Sequence, residues 1–159
     1  MQLSTAQYDE RLTAPRSWWG IAAMIGLACA LMLLPLGTLP LLAGLVGGTA
    51  LAGLLVSSYG SARVRVVNGA LAAGEARIPV TALGEPEILD AGEARAWRTH
   101  KADTRAFMLM RSYVPTAVRV EITDPADPTP YVYVSTREPH ALRAAILAAK
   151  SSPAASAGA

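Results

Sequence analysis

The chain has 159 residues, a mean hydropathy of +0.32 and a formal net charge of +2 at pH 7. A balance so close to neutral argues against a polybasic surface of the kind that binds nucleic acid or anionic lipid strongly. The only cysteine is Cys29, which excludes an intrachain disulfide.

Residues 1–16 are short and polar, and are expected to form a separate N-terminal segment. Within it Tyr8-Asp9-Glu10-Arg11-Leu12 reads as a helical turn, which Pro15 separates from the apolar stretch beyond. The character then changes. Between Arg16 and Arg63 no residue is Asp, Glu, Lys, Arg or His. A membrane span takes about 20 mostly apolar residues at about 1.5 Å rise each, so residues 17–62 are too long for one span and right for two. Pro35-Leu36-Gly37-Thr38-Leu39-Pro40 breaks the run, because prolines and a glycine interrupt a helix. The expected spans are 17–34 and 41–59. Ala28-Cys29-Ala30 has the small-x-small form of a signal cleavage site, but Leu31-Met32-Leu33-Leu34 carries the apolar run past it and argues against cleavage.

Trp18 and Trp19 open the first span and Tyr59 ends the second. Such rings favour the headgroup layer, so these three residues are the expected interface anchors. Arg11 and Arg16 precede the hairpin, Arg63 and Arg65 follow it, and the connecting turn has no charge. The positive-inside rule then places both termini in the cytoplasm of a multi-pass plasma-membrane protein. Small residues recur at four-residue spacing: Ala22, Gly26 and Ala30 in the first span, Gly44, Gly48 and Ala52 in the second. Gly26, Gly44 and Gly48 are therefore the candidate helix-packing interface. Two uses fit them: packing of the spans on each other, or dimerisation and docking to another membrane protein. The spans hold no ionisable residue of the kind that marks an ion pathway.

After the hairpin the period changes from helix to strand. Arg63-Val64-Arg65-Val66-Val67 alternates, Asn68-Gly69 is a favoured hairpin turn, and short strands follow from Leu71 and from Ala76. Residues 83–89 read as a fourth strand interrupted at Pro86. Asp90 and Glu93 have the spacing of a capping box for a short helix. Three further strands are expected over 106–111, 117–123 and 131–136. In the second of these Val118, Val120 and Ile122 face inward and Arg119 and Glu121 face solvent. Asp124-Pro125-Ala126-Asp127-Pro128-Thr129-Pro130 is a rigid connection. A helix over 138–150 closes the domain, with Pro139 in its first turn and Leu142, Ala145, Ile146 and Ala149 as its buried stripe. Residues 151–159 are Ser, Ala, Pro and Gly and are expected to be a disordered tail.

The expected fold class is α+β: a helical hairpin over 17–62, then a small antiparallel β domain over 63–150 with a C-terminal helix. A bent sheet of about seven strands closed by a helix is similar to the plan of pleckstrin-homology-like domains. From Tyr8 to Ala149 the chain resembles the actinobacterial membrane-protein family catalogued as domain of unknown function 3093. The residues that carry the resemblance are Tyr8-Asp9-Glu10-Arg11-Leu12, the Trp18-Trp19 pair, Ala117-Val118-Arg119-Val120-Glu121, the run from Asp124 to Tyr131, and Ser135-Thr136-Arg137. The resemblance implies two spans and a source, and no mechanism.

No phosphate-binding glycine loop, metal-spaced His/Cys set or nucleophile elbow is present. Glu85, Glu87, Asp90 and Glu93 form an acidic cluster that reads as a strand end and helix cap. His100 and His140 have no evident partner, and Asp124 and Asp127 fit turn formation. Arg111, Arg119 and Arg137 stand near one another in the expected sheet, either to meet an anion or to pair with Glu121 and Glu138. No catalytic residue, cofactor, metal or nucleic-acid partner is expected. The expected function is a non-enzymatic, membrane-anchored interaction module whose partners are the bilayer and a membrane or cytoplasmic protein, with homo-oligomerisation open. The alternative is an accessory subunit that docks through its small-residue transmembrane face.

Overall fold

The structure, a computed structural model, describes residues 8–152. The expected disordered tail falls almost wholly outside them. Two compact units divide the chain: residues 13–62, and the segments on either side of them together.

The first unit is a pair of helices. α1 (Arg16–Leu33) runs into a short 3-10 turn at Leu34–Leu36, and α2 spans Thr38–Tyr59. Gly37 makes the reversal at φ 116°, a conformation open to glycine and strained for other residues. α2 begins three residues earlier than expected, with Pro40 inside it. A helix's first-turn N–H groups have no intrahelical acceptor, so proline costs nothing there. Ala22, Gly26 and Ala30 of α1 and Gly44 and Ala52 of α2 are buried. Much of the remaining surface is apolar and open: Met24, Leu27, Met32, Leu39, Val46 and Leu54 are all more than half exposed.

The second unit is β-rich, and its described residues hold eight strands rather than about seven. Its first sheet is a meander of β1 (Tyr8–Arg11), β2 (Arg63–Val67), β3 (Ala70–Ala73) and β4 (Ala76–Pro79). Residues 8–11 are thus a strand and not a helical turn. Tyr8 lies opposite Val66 and Arg11 opposite Arg63. Leu12, just beyond, is fully buried. Tertiary pairing overrides the helix preference of Glu, Arg and Leu here. Residues 8–12 therefore belong to the β domain, and the helix pair is inserted between two adjacent strands of one sheet. Asn68 and Gly69 both take positive φ and turn β2 into β3.

The second sheet has the order β5-β7-β8-β6. β5 (Leu83–Leu89) runs through Pro86, with a register shift between Leu83 and Pro86 in place of a break. An edge strand accommodates a proline in this way. β7 (Ala117–Ile122) and β8 (Tyr131–Ser135) pair antiparallel, whereas β6 (Phe107–Leu109) pairs parallel to β8. α3 (Ala91–Arg98) lies between β5 and β6 in sequence, and α4 (Pro139–Ser151) ends the described chain.

Every residue of β8 is buried. One face of the second sheet carries Val118, Val120, Val132 and Val134, and α4 contributes Leu142, Ala145, Ile146 and Ala149 to the buried core. Truncating a fully buried residue such as Ile146 to Ala costs about 2–5 kcal/mol. The other face carries Ala117, Tyr131 and Tyr133, and packs with Leu89 and with Ala94 of α3. Lys150 does not cap its own helix. Its ammonium donates to the Leu83 and Gly84 carbonyls at 2.8 and 3.0 Å and ties α4 to β5.

Candidate functional site

Alternation along the first sheet decides which side chains face out. Tyr8, Val64, Val66, Leu71 and Ala73 are buried, so Asp9, Arg11, Arg63, Arg65, Ala70, Ala72 and Arg77 share the opposite face. The register sets Asp9, Arg65, Ala72 and Arg77 in one row across all four strands, with Arg11 opposite Arg63 in the next. All four arginines are exposed. Asp9 is the one acidic residue in these ladder positions, and its 3.8 Å pair with Arg63 is half open to solvent. Such a pair is worth about 0–1 kcal/mol. Arg65, Val67, Ala72 and Arg77 line an open pocket of about 170 Å³. The near-neutral total charge therefore conceals a basic face, contrary to the expectation drawn from the average.

The inner end of β1 is fixed by a polar junction. Glu10 accepts from the Tyr8 hydroxyl at 2.7 Å, from the Thr136 hydroxyl at 2.6 Å and from the Arg137 backbone N–H at 3.0 Å. Thr136 is fully buried, and its oxygen also accepts from the Glu138 N–H at 3.0 Å. Burial, with the Glu10 carboxylate alongside, pushes the Tyr8 phenol well above its ordinary range, and the Thr136 hydroxyl offsets part of this. The Tyr113 hydroxyl donates to the Leu12 carbonyl at 2.9 Å and closes the junction beside it. Each buried polar atom here has a partner, which locks β1 onto the β8–α4 connection.

Arg119 is not a solvent-facing strand residue. Its side chain is 15% exposed, and its guanidinium lies 4.2 Å over the Trp97 ring and 5.2 Å from that of Tyr131. It donates to Glu87 at 2.8 Å and to Glu121 at 2.6 Å. Alternation placed it correctly on the face opposite Val118 and Val120, but α3 covers that face. Trp97 meets Tyr131 edge-on at 5.3 Å, and the Tyr131 hydroxyl accepts from the Asp103 N–H at 2.9 Å.

In the helix pair the glycines face the opposing helix. A Cβ on Gly26 would overlap the Thr49 hydroxyl oxygen and lie 2.9 Å from the Leu45 carbonyl. One on Gly44 would lie 2.9 Å from the Cys29 carbonyl, and one on Gly48 would lie 3.0 Å from the Cys29 sulfur. Trp18 stacks on Tyr59 at 5.5 Å, and Trp19 is 53% exposed.

Comparison with known proteins adds one result. A family model described as protein of unknown function (DUF3093) matches residues 7–146. The chain belongs to this family. No curated protein and no solved structure matches it.

In this DUF3093 chain some of the stretches that carry the resemblance meet. Tyr8 and Glu10 meet Thr136 and Arg137 at the junction, and Arg119 and Glu121 meet near Tyr131 on the second sheet. The other residues singled out in the sequence stay apart or serve structure. Asp90 and Glu93 form the expected capping box, with Glu93 N–H donating to Asp90 at 2.8 Å. Glu85 pairs with Arg143 and Glu87 with Arg119, so the acidic cluster is divided among separate partners. Asp124 and Asp127 accept from the N–H groups of Ala126 and Thr129, closing two turns. The Thr129 N–H holds the Asp127 carboxyl below the usual carboxylate range. Arg111 donates to the Met110 carbonyl, Arg137 lies over the Tyr113 ring, and Arg119 pairs with Glu87 and Glu121. Among the described residues no group of three His, Cys, Asp or Glu side chains is placed to hold a metal.

Proposed function

We propose that this protein is a membrane-anchored interaction module, with its β domain held on the cytoplasmic face of the plasma membrane and no enzymatic step. The observation that carries this reading is the insertion of the apolar helix pair between β1 and β2. Both helices are long and apolar enough to cross a bilayer, and only 17% and 11% of their apolar windows are buried within the chain. Soluble monomers rarely expose a contiguous apolar patch beyond a few hundred Å². Lipid is the simplest cover for this one. Arg11 lies opposite Arg63 in one sheet, which supports both ends of the hairpin emerging on the same side of the membrane. Arg11, Arg16, Arg63 and Arg65 favour the cytoplasmic side. Docking to another membrane protein through Gly26, Gly44 and Gly48 is the weaker reading, since each of these glycines lies against the opposing helix.

Cysteine accessibility tests the arrangement. On a Cys29→Ser background, Glu75→Cys in the exposed β3–β4 turn is expected to resist an impermeant maleimide in intact cells and to label after lysis. Thr38→Cys at the hairpin tip is expected to label in intact cells. Labelling of Glu75→Cys from outside overturns the topology.

A further inference from the structure

We propose that the outer face of the first sheet binds anionic phospholipid headgroups of the bilayer that anchors the hairpin. This rests on the membrane-anchored reading above. Four guanidinium groups, Arg11, Arg63, Arg65 and Arg77, share the face with one carboxylate, Asp9. Arg11 and Arg63 stand directly opposite one another. Like charges opposed across a ladder destabilise the bare sheet, and an anion seated between them relieves this. Neighbouring strands are about 4.8 Å apart, so the Arg65 and Arg77 backbones flank Ala72 at about 10 Å. The small Ala72 leaves the floor of the 170 Å³ pocket open between them. Guanidinium forks bind phosphate oxygens bidentately, which suits a phosphodiester lying over that floor.

Short connections tie the sheet to the helix pair. Four peptide steps join Tyr59 to Arg63 and five join Arg11 to Arg16. At about 3.6 Å per step the strand ends stay within about 14 and 18 Å of the helix ends. A tether that short gives the face a high effective concentration of headgroups, so a modest affinity suffices. Single-stranded nucleic acid is the poorer fit, because none of the outward ladder residues is aromatic and bases would find no stacking platform.

The test uses the full chain with Cys29→Ser and Ala70→Cys, labelled at the introduced cysteine with an environment-sensitive fluorophore and reconstituted in nanodiscs. One set of discs is pure phosphatidylcholine, and the other contains phosphatidylglycerol. Acrylamide quenching of the label is expected to fall in the anionic discs. It should recover in about 1 M salt, where the Debye length is about 3 Å. Arg65→Gln with Arg77→Gln is expected to lower the association of the face about 30-fold and restore quenching. Equal quenching in both discs overturns the proposal, as does shielding that persists in the double variant. The salt arm decides the matter on the unsubstituted arginines even where the double variant misfolds. Co-elution with the disc reports anchoring separately. A chain that enters both discs with its label equally open overturns the headgroup proposal alone. A chain that fails to enter either disc overturns the anchored reading, and the headgroup proposal with it.

Discussion

Removing β1 from the β domain should cost most of its stability. Leu12 is fully buried and Tyr8 is 8% exposed, and both precede the helix pair in sequence. Burying a side chain of this size contributes about 1.5–3 kcal/mol. The Glu10 carboxylate adds three accepted hydrogen bonds. Bonds to a charged group contribute about 1.5–3 kcal/mol each and are not additive within one network. Together these give about 5–8 kcal/mol, against about 5–15 kcal/mol for a whole domain. A fragment of residues 63–152 should therefore be unfolded or marginal. The paired strands suggest the comparison: residues 13–61 replaced by Asn-Gly, which joins Leu12 to Ala62 through a two-residue turn. Urea unfolding followed by circular dichroism separates the two proteins. The spliced chain should unfold cooperatively. At about 1–3 kcal/mol per molar urea, the fragment's midpoint should lie at least about 2 M lower or be absent. Midpoints within about 0.5 M of each other would refute the assignment of β1 as an integral strand.

Gly26→Ala should lower the melting temperature of the full chain in detergent, because its Cβ would overlap Thr49, whereas Gly47→Ala, with nothing within 4 Å, should not. Arg119→Ala should destabilise the β domain by about 1–3 kcal/mol through lost packing and cation–π contact. The exposed Arg95→Ala should stay within about 0.5 kcal/mol, and equal losses in the two variants would show that α3 does not cover Arg119. The raised Tyr8 phenol predicts alkaline sensitivity. Its stabilising effect is complete below the unfolded phenol range and is lost as pH rises through and above it. The stability-against-pH curve should therefore fall on the alkaline side, and Tyr8→Phe should flatten that fall.

The elements most legible in the sequence were those whose signal is local. The uncharged run, the Asn68-Gly69 turn, the Asp90–Glu93 box and the stripe on α4 each need only a few neighbouring residues to be read. β1 was hidden because its pairing partner lies beyond the helix pair, and four residues with two acids and an arginine show little apolar alternation. Arg119 was assigned to the right face for the wrong environment. Alternation separates the two faces of a strand, but whether a helix covers the second is a tertiary fact. The basic face was concealed by averaging. Arg11 and Arg77 each stand within two residues of an acid, Arg63 and Arg65 lie apart from both in sequence, and only the ladder register gathers the four.

The insertion of α1 and α2 between β1 and β2 also bears on the order in which the domain assembles. Pairing Tyr8 with Val66 closes a long loop, and loop closure of this kind normally slows folding. Here the loop is itself folded. The two helices pack along each other and bring Ala14 against Gly60, where a Cβ would lie 2.7 Å from the Ala14 nitrogen. Where the helices pair first, the ends of β1 and β2 are brought side by side, and part of the closure entropy is spent before the first strand pair forms. A chain whose helices had not yet paired would hold β1 without its neighbour, and Glu10 without Thr136.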